Sequence, residues 1–177
     1  MKGNIKEILF TREQIRDKIA EAARSLAEEY KDKDPVIVCT LKGAFIFCAD
    51  LIREMDIPCT VDFISASSYG DDTVSSGNVM IKKDLDTDIK GRHVLIIEDI
   101  IDSGNTLYKL KEILLKRNPA SLKICTLLDK PSRRTADINP DVRLFTIPDK
   151  FVIGYGMDVA EKYRQLPYIG IFEPLGE

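Results

Sequence analysis

Residues 94 to 106 read Val-Leu-Ile-Ile-Glu-Asp-Ile-Ile-Asp-Ser-Gly-Asn-Thr, an apolar run that ends in the adjacent carboxylates Glu98 and Asp99. A further acid, Asp102, follows, and then the small polar turn Ser103-Gly104-Asn105-Thr106. Each part offers its own chemistry. A turn of small residues at a helix start leaves backbone N–H groups unpaired, and the helix dipole adds positive potential, so a phosphate fits there. Ser103 and Thr106 add hydroxyl donors. Glu98 and Asp99 repel phosphate, but they can accept hydrogen bonds from a ribose diol or hold a hydrated cation of the Mg2+ type. Asp102 suits a general base or acid. A phosphate cradle, a diol clamp and a proton acceptor in one short segment describe a site for an activated sugar phosphate. Taken singly, these residues read better as a solvated strand end and a helix capped by Ser103. The whole string reads as a site, because chance matches become rarer as constrained positions multiply. The chain carries neither a Walker loop nor a glycine-rich dinucleotide fingerprint after a strand.

The elements around this segment must position it. Val94 to Ile97 lack alternation and are β-branched or Leu, which suits a strand buried on both faces of a parallel sheet. Leu107, Leu110, Ile113 and Leu114 then follow at helical spacing, and the helix ends at Lys116-Arg117-Asn118-Pro119. In an open α/β sheet, ligands bind beyond the carboxyl ends of the strands, where the acids and the turn stand. Upstream, Thr11 with Gln14 makes a capping box. Ile15, Ile19, Ala22, Ala23, Leu26 and Tyr30 mark the buried face of the helix it opens, which Asp34-Pro35 stops. Strands are expected at Val36 to Leu41, Cys59 to Ser65, Val79 to Lys82 and Leu122 to Leu128, with a helix over Ala44 to Met55. Residues 131–177 hold short apolar pieces among Pro and Gly, read as one further core strand and a small subdomain over the site. Alternating strands and helices argue for a mainly parallel sheet in an α/β fold.

Composition narrows the function classes. The 177 residues fit one domain, with a core over about 1–130 and a hood formed mainly by about 131–177. Lys and Arg total 26 against 29 for Asp and Glu, a formal charge of −3, so no basic excess points to nucleic acid. Apolar stretches fall short of the roughly 20 residues of a membrane span. The first residues, Met1 to Glu7, lack a secretory apolar core. Cys39, Cys48, Cys59 and Cys125 have neither CxxC nor paired zinc spacing and read as free thiols of a cytoplasmic protein. His93, the one histidine, starts a strand and is given no role.

Segment 94–106 resembles the signature of the type I phosphoribosyltransferases: four hydrophobics, two acids, two aliphatics, then Asp, a hydroxyl residue, Gly, any residue and Thr. In the family's order, Leu41-Lys42-Gly43 resembles its pyrophosphate loop, and Ser68-Tyr69-Gly70 the start of its mobile loop. Leu128-Asp129-Lys130-Pro131 carries the lysine expected against a purine 6-oxo group. Phe151-Val152-Ile153-Gly154-Tyr155-Gly156-Met157-Asp158, with Arg164, resembles its base-binding and closing segment. The likeness covers nearly the whole chain and is nearest to the branch acting on hypoxanthine and guanine.

The resemblance implies the type I phosphoribosyltransferase fold, a mainly parallel sheet flanked by helices with a small C-terminal hood. It implies a purine salvage enzyme moving a phosphoribosyl group from 5-phosphoribosyl 1-pyrophosphate to hypoxanthine or guanine, with Mg2+, giving IMP or GMP and pyrophosphate. Glu98 and Asp99 would hold the ribose and the metal, directly or through water, and Asp102 to Thr106, including Asn105, the 5′-phosphate. Asp102 would handle the purine N7 proton and Lys130 the charge on O6. Lys42, Gly43 and Arg164 would bind pyrophosphate, with an unusual peptide geometry before Lys42. Ile100, Lys130, Phe151, Val152 and Asp158 would bind the purine, and Asp158 would reach a second Mg2+ through water. Ser68 and Tyr69 would begin a lid over 67–77, which shields a sugar cation from water. Arg133 and Arg134 could attract anions and stand outside this site. Asn105 departs from relatives that carry Lys there, which removes one phosphate-binding charge and leaves the backbone cradle. A homodimer or homotetramer is implied. Two alternatives stand beside this reading. A xanthine- or guanine-preferring member would differ around Val152 and Asp158. A non-catalytic nucleic-acid-binding regulator on the same fold would need a basic face.

Overall fold

A computed structural model describes residues 3–68 and 79–174. Its main sheet holds β2 (Val36–Thr40), β3 (Thr60–Ser68), β4 (Val79–Lys83), β5 (His93–Ile101), β6 (Ser121–Asp129) and β7 (Val142–Thr146). The order is β4-β3-β2-β5-β6-β7, parallel throughout except for the antiparallel β3–β4 edge. The chain winds outward one way from β2 to β3 and the other way from β5 to β7. The gap beyond β2 and β5 is therefore the switch point, where an open α/β sheet leaves a crevice.

Helix α1 (Arg12–Tyr30) and α2 (Phe45–Met55) cover one face of this sheet, and α3 (Asn105–Leu115) covers the other. The capping box at Thr11 is present, with reciprocal bonds between Thr11 and Gln14. Helix α1 ends at Tyr30, ahead of Asp34-Pro35, because Asp32 and Asp34 take left-handed backbone conformations that break the helical run. Val94, Leu95, Ile96 and Ile97 are wholly buried, and alternate residues enter opposite cores. Burial of each such side chain stabilises the fold by about 1.5–3 kcal/mol. The two-sided burial explains why this strand shows no alternation.

Strand β5 runs past Ile97 to Ile101, so Glu98 and Asp99 lie within its last turns rather than after it. Pairing with β6 extends the strand, as Ile100 stands opposite Leu128 and Ile101 opposite Asp129. A second, smaller antiparallel sheet has the order β1-β9-β8. It joins β1 (Gly3–Phe10) to β9 (Ile169–Pro174) and β8 (Val152–Ile153). The β1 strand was not expected from the sequence. Its pairing with β9 is interrupted by register shifts at Ile5/Glu7 and Ile8/Phe10, which scramble the two-residue alternation. The further core strand expected after residue 131 is β7.

Candidate active site

Two adjoining cavities open at the carboxyl ends of β2, β5 and β6. The first, about 220 Å3, is lined by Thr40, Leu41, Glu98 and the continuous turn Asp102 to Leu107. The second, about 200 Å3, is lined by Asp99, Lys130, Phe151, Val152, Met157 and Asp158. Ile100 and Asp102 line both. The turn expected to hold a phosphate lines the first and the residues expected to hold a purine line the second, while Asp99, expected at the ribose, also lines the second. A larger cavity of about 610 Å3 lies between α1, α2 and residues 155–167, and none of the expected site residues line it. Convergent polar groups, not volume, mark the chemistry.

Helix α3 starts after Gly104, whose φ of 80° suits glycine, and no side chain caps it. Ser103 Oγ lies 3.5 Å from the Asn105 amide, too far for a strong cap. First-turn amides therefore remain for a ligand, as an anion site requires. A β-carbon on Gly104 would also meet Ile138 Cγ2 at 2.6 Å, so the turn is tightly backed.

The Thr40 hydroxyl stands 2.9 Å from both the Ile97 carbonyl and Glu98 Oε1. Burial, and next the neighbouring Asp99 charge, push the Glu98 carboxyl well above the usual carboxylate range. The Thr40 hydroxyl can donate to either acceptor, and the Asp99 amide also approaches Glu98 Oε1, at 3.2 Å. A cation beside Glu98 and Asp99 would relieve the same repulsion. Among the described residues no group of three or more His, Cys, Asp or Glu side chains is placed to cage a metal ion. The donor set fits Mg2+, which takes one or two carboxylates and completes its shell with water and substrate phosphate.

The loop after β2 carries a cis peptide between Leu41 and Lys42. Gly43 sits against Asp99, and Gly156 sits against the Gly43 carbonyl. Lys42 Nζ lies 3.0 Å from Glu161 Oε2, and Arg164 Nη2 lies 3.1 Å from the same oxygen. Arg164 Nη2 is also 2.9 Å from Asp158 Oδ1. Lys42, Asp158 and Arg164 are thus gathered around Glu161, a residue not expected at the site. Tyr155 donates its hydroxyl proton to Asp50, tying this segment to α2.

On the purine side, Lys130 is buried at the end of β6 and its amide donates to the Ile101 carbonyl at 3.0 Å. Phe151 is half exposed, with its ring edge-on to Phe172. Val152 is buried and pairs with Ile171 across the small sheet. Ser68 ends β3, while Tyr69 and most of the expected lid lie outside the described residues.

Thr40, Gly156, Met157, Glu161, Arg133 and Arg134 were not assigned to the site from sequence. Both arginines contact Asp102. Arg133 Nε lies 3.0 Å from Asp102 Oδ1 and its guanidinium also faces Asp149. Arg134 contacts the Asp102 carbonyl. Parallel pairing of β5 with β6 was the available signal, since it places the residues following each strand side by side. His93 Nδ1 contacts Ser121 Oγ at 2.8 Å, at the far end of the sheet.

The phosphoribosyl transferase domain family matches residues 7–160. The chain belongs to this family. It is 53% identical to the hypoxanthine-guanine phosphoribosyltransferase of Bacillus subtilis, over 98% of this chain and 97% of that one. It is 54% identical to the hypoxanthine phosphoribosyltransferase of Salmonella typhimurium, over 93% of each chain. A crystal structure of a Staphylococcus aureus hypoxanthine phosphoribosyltransferase superposes with a TM-score of 0.93 at 46% identity, covering 96% of this chain and 92% of that one. The type I phosphoribosyltransferase fold accounts for the parallel sheet and for the position of both cavities at its switch point.

Proposed function

We propose that this phosphoribosyltransferase moves the 5-phosphoribosyl group from 5-phosphoribosyl 1-pyrophosphate to N9 of hypoxanthine, and of guanine, in purine salvage. The C1′–N9 bond forms as the C1′–oxygen bond to pyrophosphate breaks. One observation carries the reading: the small turn after β5 and a cleft that combines Lys130 with Phe151 and Val152 adjoin at Ile100 and Asp102.

In this account the amides and hydroxyls of residues 102 to 106 hold the 5′-phosphate, and Glu98 and Asp99 accept hydrogen bonds from the ribose diol. Glu98 and Asp99 would hold Mg2+, directly or through water, and its charge would offset that of the leaving pyrophosphate. Lys42, Gly43 and Arg164 grip that pyrophosphate, the guanidinium fork matching its oxygens. Phe151 and Ile100 sandwich the base, while the Val152 backbone and Asp158 read its edge. Asp102 takes the N7 proton as N9 bonds to the sugar. Lys130 donates to O6, and an adenine 6-amino group would leave that donor unpaired, which sets the preference for 6-oxopurines.

The described residues contain no helix long and apolar enough to cross a membrane. We place the enzyme in the cytoplasm as a homodimer or homotetramer. Phe45, Val61, Phe63 and Met80 support self-association, because they leave apolar surface exposed on the α2 side of the sheet. Light scattering at working concentration measures the assembly.

Turnover measured in parallel with hypoxanthine, guanine, xanthine and adenine tests the reaction. Hypoxanthine and guanine should yield nucleotide and pyrophosphate, with adenine inert. Preferred use of adenine, or no transfer to any base, would contradict the proposal.

A further inference from the structure

Arg134 follows the end of β6 and is nearly buried, its side chain 12% exposed. Its guanidinium reaches acceptors on three segments. Nε donates to the Asp102 carbonyl at 3.1 Å, and Nη2 approaches the Ile101 carbonyl at 3.4 Å. Nη1 donates to the Ile138 carbonyl, and Nη2 pairs with the carboxylate of Asp129. Asp129 is itself buried, directly precedes Lys130 and has Arg143 on its other oxygen at 3.1 Å. The stem of Arg134 also underlies the phosphate turn, because a β-carbon on Gly104 would meet its Cδ at 3.0 Å. The next residues continue this tether, as the amides of Thr135 and Ala136 both donate to the Ser103 carbonyl.

We propose that Arg134 is a positioning residue that locks Asp102, the phosphate turn and Lys130 into one relative geometry. The inference rests on the proposed roles of Asp102 and Lys130 in the reaction above. Asp129 lines neither cavity, and two arginines on one buried acid exceed what charge balance needs. Only a planar fork reaches Asp129 and the strand-end carbonyls together. A lysine ammonium is a point charge and cannot span them. Arg134 therefore sets the distance between the proton acceptor at the purine N7 side and the donor at O6. Arg133, one residue earlier, holds the Asp102 carboxylate from outside. The pair together braces both the backbone and the side chain of Asp102.

Steady-state kinetics on the full chain, with thermal melts, tests this in a cycle of Arg134→Lys, Asp102→Asn and the double variant. Arg134→Lys should fold cooperatively yet lose at least about 10-fold in kcat, since misplacement by an ångström is costly in a preorganised site. Added to Asp102→Asn, it should cost at least about 3-fold less in kcat than it costs in the wild type, because the part of its effect that passes through Asp102 is already lost. A merely structural Arg134 would instead lower the melting temperature and give independent, multiplying losses. Near wild-type kcat in folded Arg134→Lys, or multiplying losses, overturns the proposal. If Arg134→Lys does not fold, Asp129→Asn, which frees the fork while keeping side-chain size, takes its place under the same two criteria. Wild-type turnover by Asp102→Asn would remove the underlying reading of the reaction. A slow Asp102→Asn beside a fast Arg134→Lys would overturn the positioning role alone.

Discussion

A β-carbon on Gly43 would stand 1.6 Å from Oδ2 of Asp99, so the loop after β2 and an acid near the end of β5 touch with no room for a side chain. On its other side, the Gly43 carbonyl lies 2.0 Å from where a β-carbon of Gly156 would be. Three segments distant in sequence are stacked through two missing methyl groups.

Gly43→Ala should therefore displace Asp99 or the loop. We expect kcat/KM to fall at least about 100-fold, as for ångström-scale misplacement in a preorganised site. Gly156→Ala adds backbone strain at a φ of 102° and should lower the melting temperature by about 3–10 °C. Kinetics and thermal melts of the two variants, with circular dichroism to confirm folding, check both. Full activity in Gly43→Ala would show that the contact is dispensable.

Glu98 gives a pH-dependent prediction. Its carboxyl titrates higher in the folded protein than in the unfolded chain, first through burial and then through Asp99. Below the ordinary glutamate value of about 4.3 both states are protonated, and the site costs nothing. As pH rises past that value the unfolded chain releases its proton first, so folding stability falls until the folded group also ionises. Glu98→Gln removes this cost. Its melting temperature should exceed wild type by about 2–4 °C near neutral pH, with the difference vanishing below about pH 4. Activity should drop, since a diol and metal ligand is lost. A melting gain that persists unchanged in acid would rule out this cause.

Replacing Asp102 by Asn should lower kcat by about 100- to 10,000-fold, the span of general acid–base contributions. Binding of the sugar pyrophosphate, followed by calorimetric titration, should change little, because backbone amides form the cradle. Arg133 would keep its place against the amide oxygen. Normal turnover would mean that another group handles the N7 proton.

For Lys130, the expected signature is in base choice. Lys130→Met keeps the buried stem and removes the donor to O6. Loss of a hydrogen bond from a charged group predicts a fall of about 10- to 150-fold in kcat/KM for hypoxanthine. Discrimination against adenine should narrow in a competition assay. An unchanged ratio of the two bases would place the specificity elsewhere.

The readable parts of this chain were those where local sequence carries the physics. Val94 to Ile97 announced a strand buried on both faces, and Thr11 with Gln14 announced a helix start, because both signals lie within a few residues. The acids and the small turn were legible for the same reason. What escaped depends on contacts between distant segments. Strand β1 pairs through two register shifts, so its residues show no clean alternation. Gly156 was given no role of its own within its segment, and its contact with Gly43 joins residues far apart in sequence. Glu161 carries no local signal, and only the fold brings Lys42 and Arg164 onto one of its oxygens. Arg133 and Arg134 could be placed only once β5 and β6 were known to be neighbours ending together.

The most direct measurement is a crystal structure of the protein with Mg2+ and 5-phosphoribosyl 1-pyrophosphate. The account predicts the 5′-phosphate on the amides of residues 103 to 106, the ribose hydroxyls against Glu98 and Asp99, and the pyrophosphate beside Lys42, Gly43 and Arg164. Density for the sugar in the larger cavity between α1 and α2, or anywhere away from Glu98 through Thr106, would contradict it.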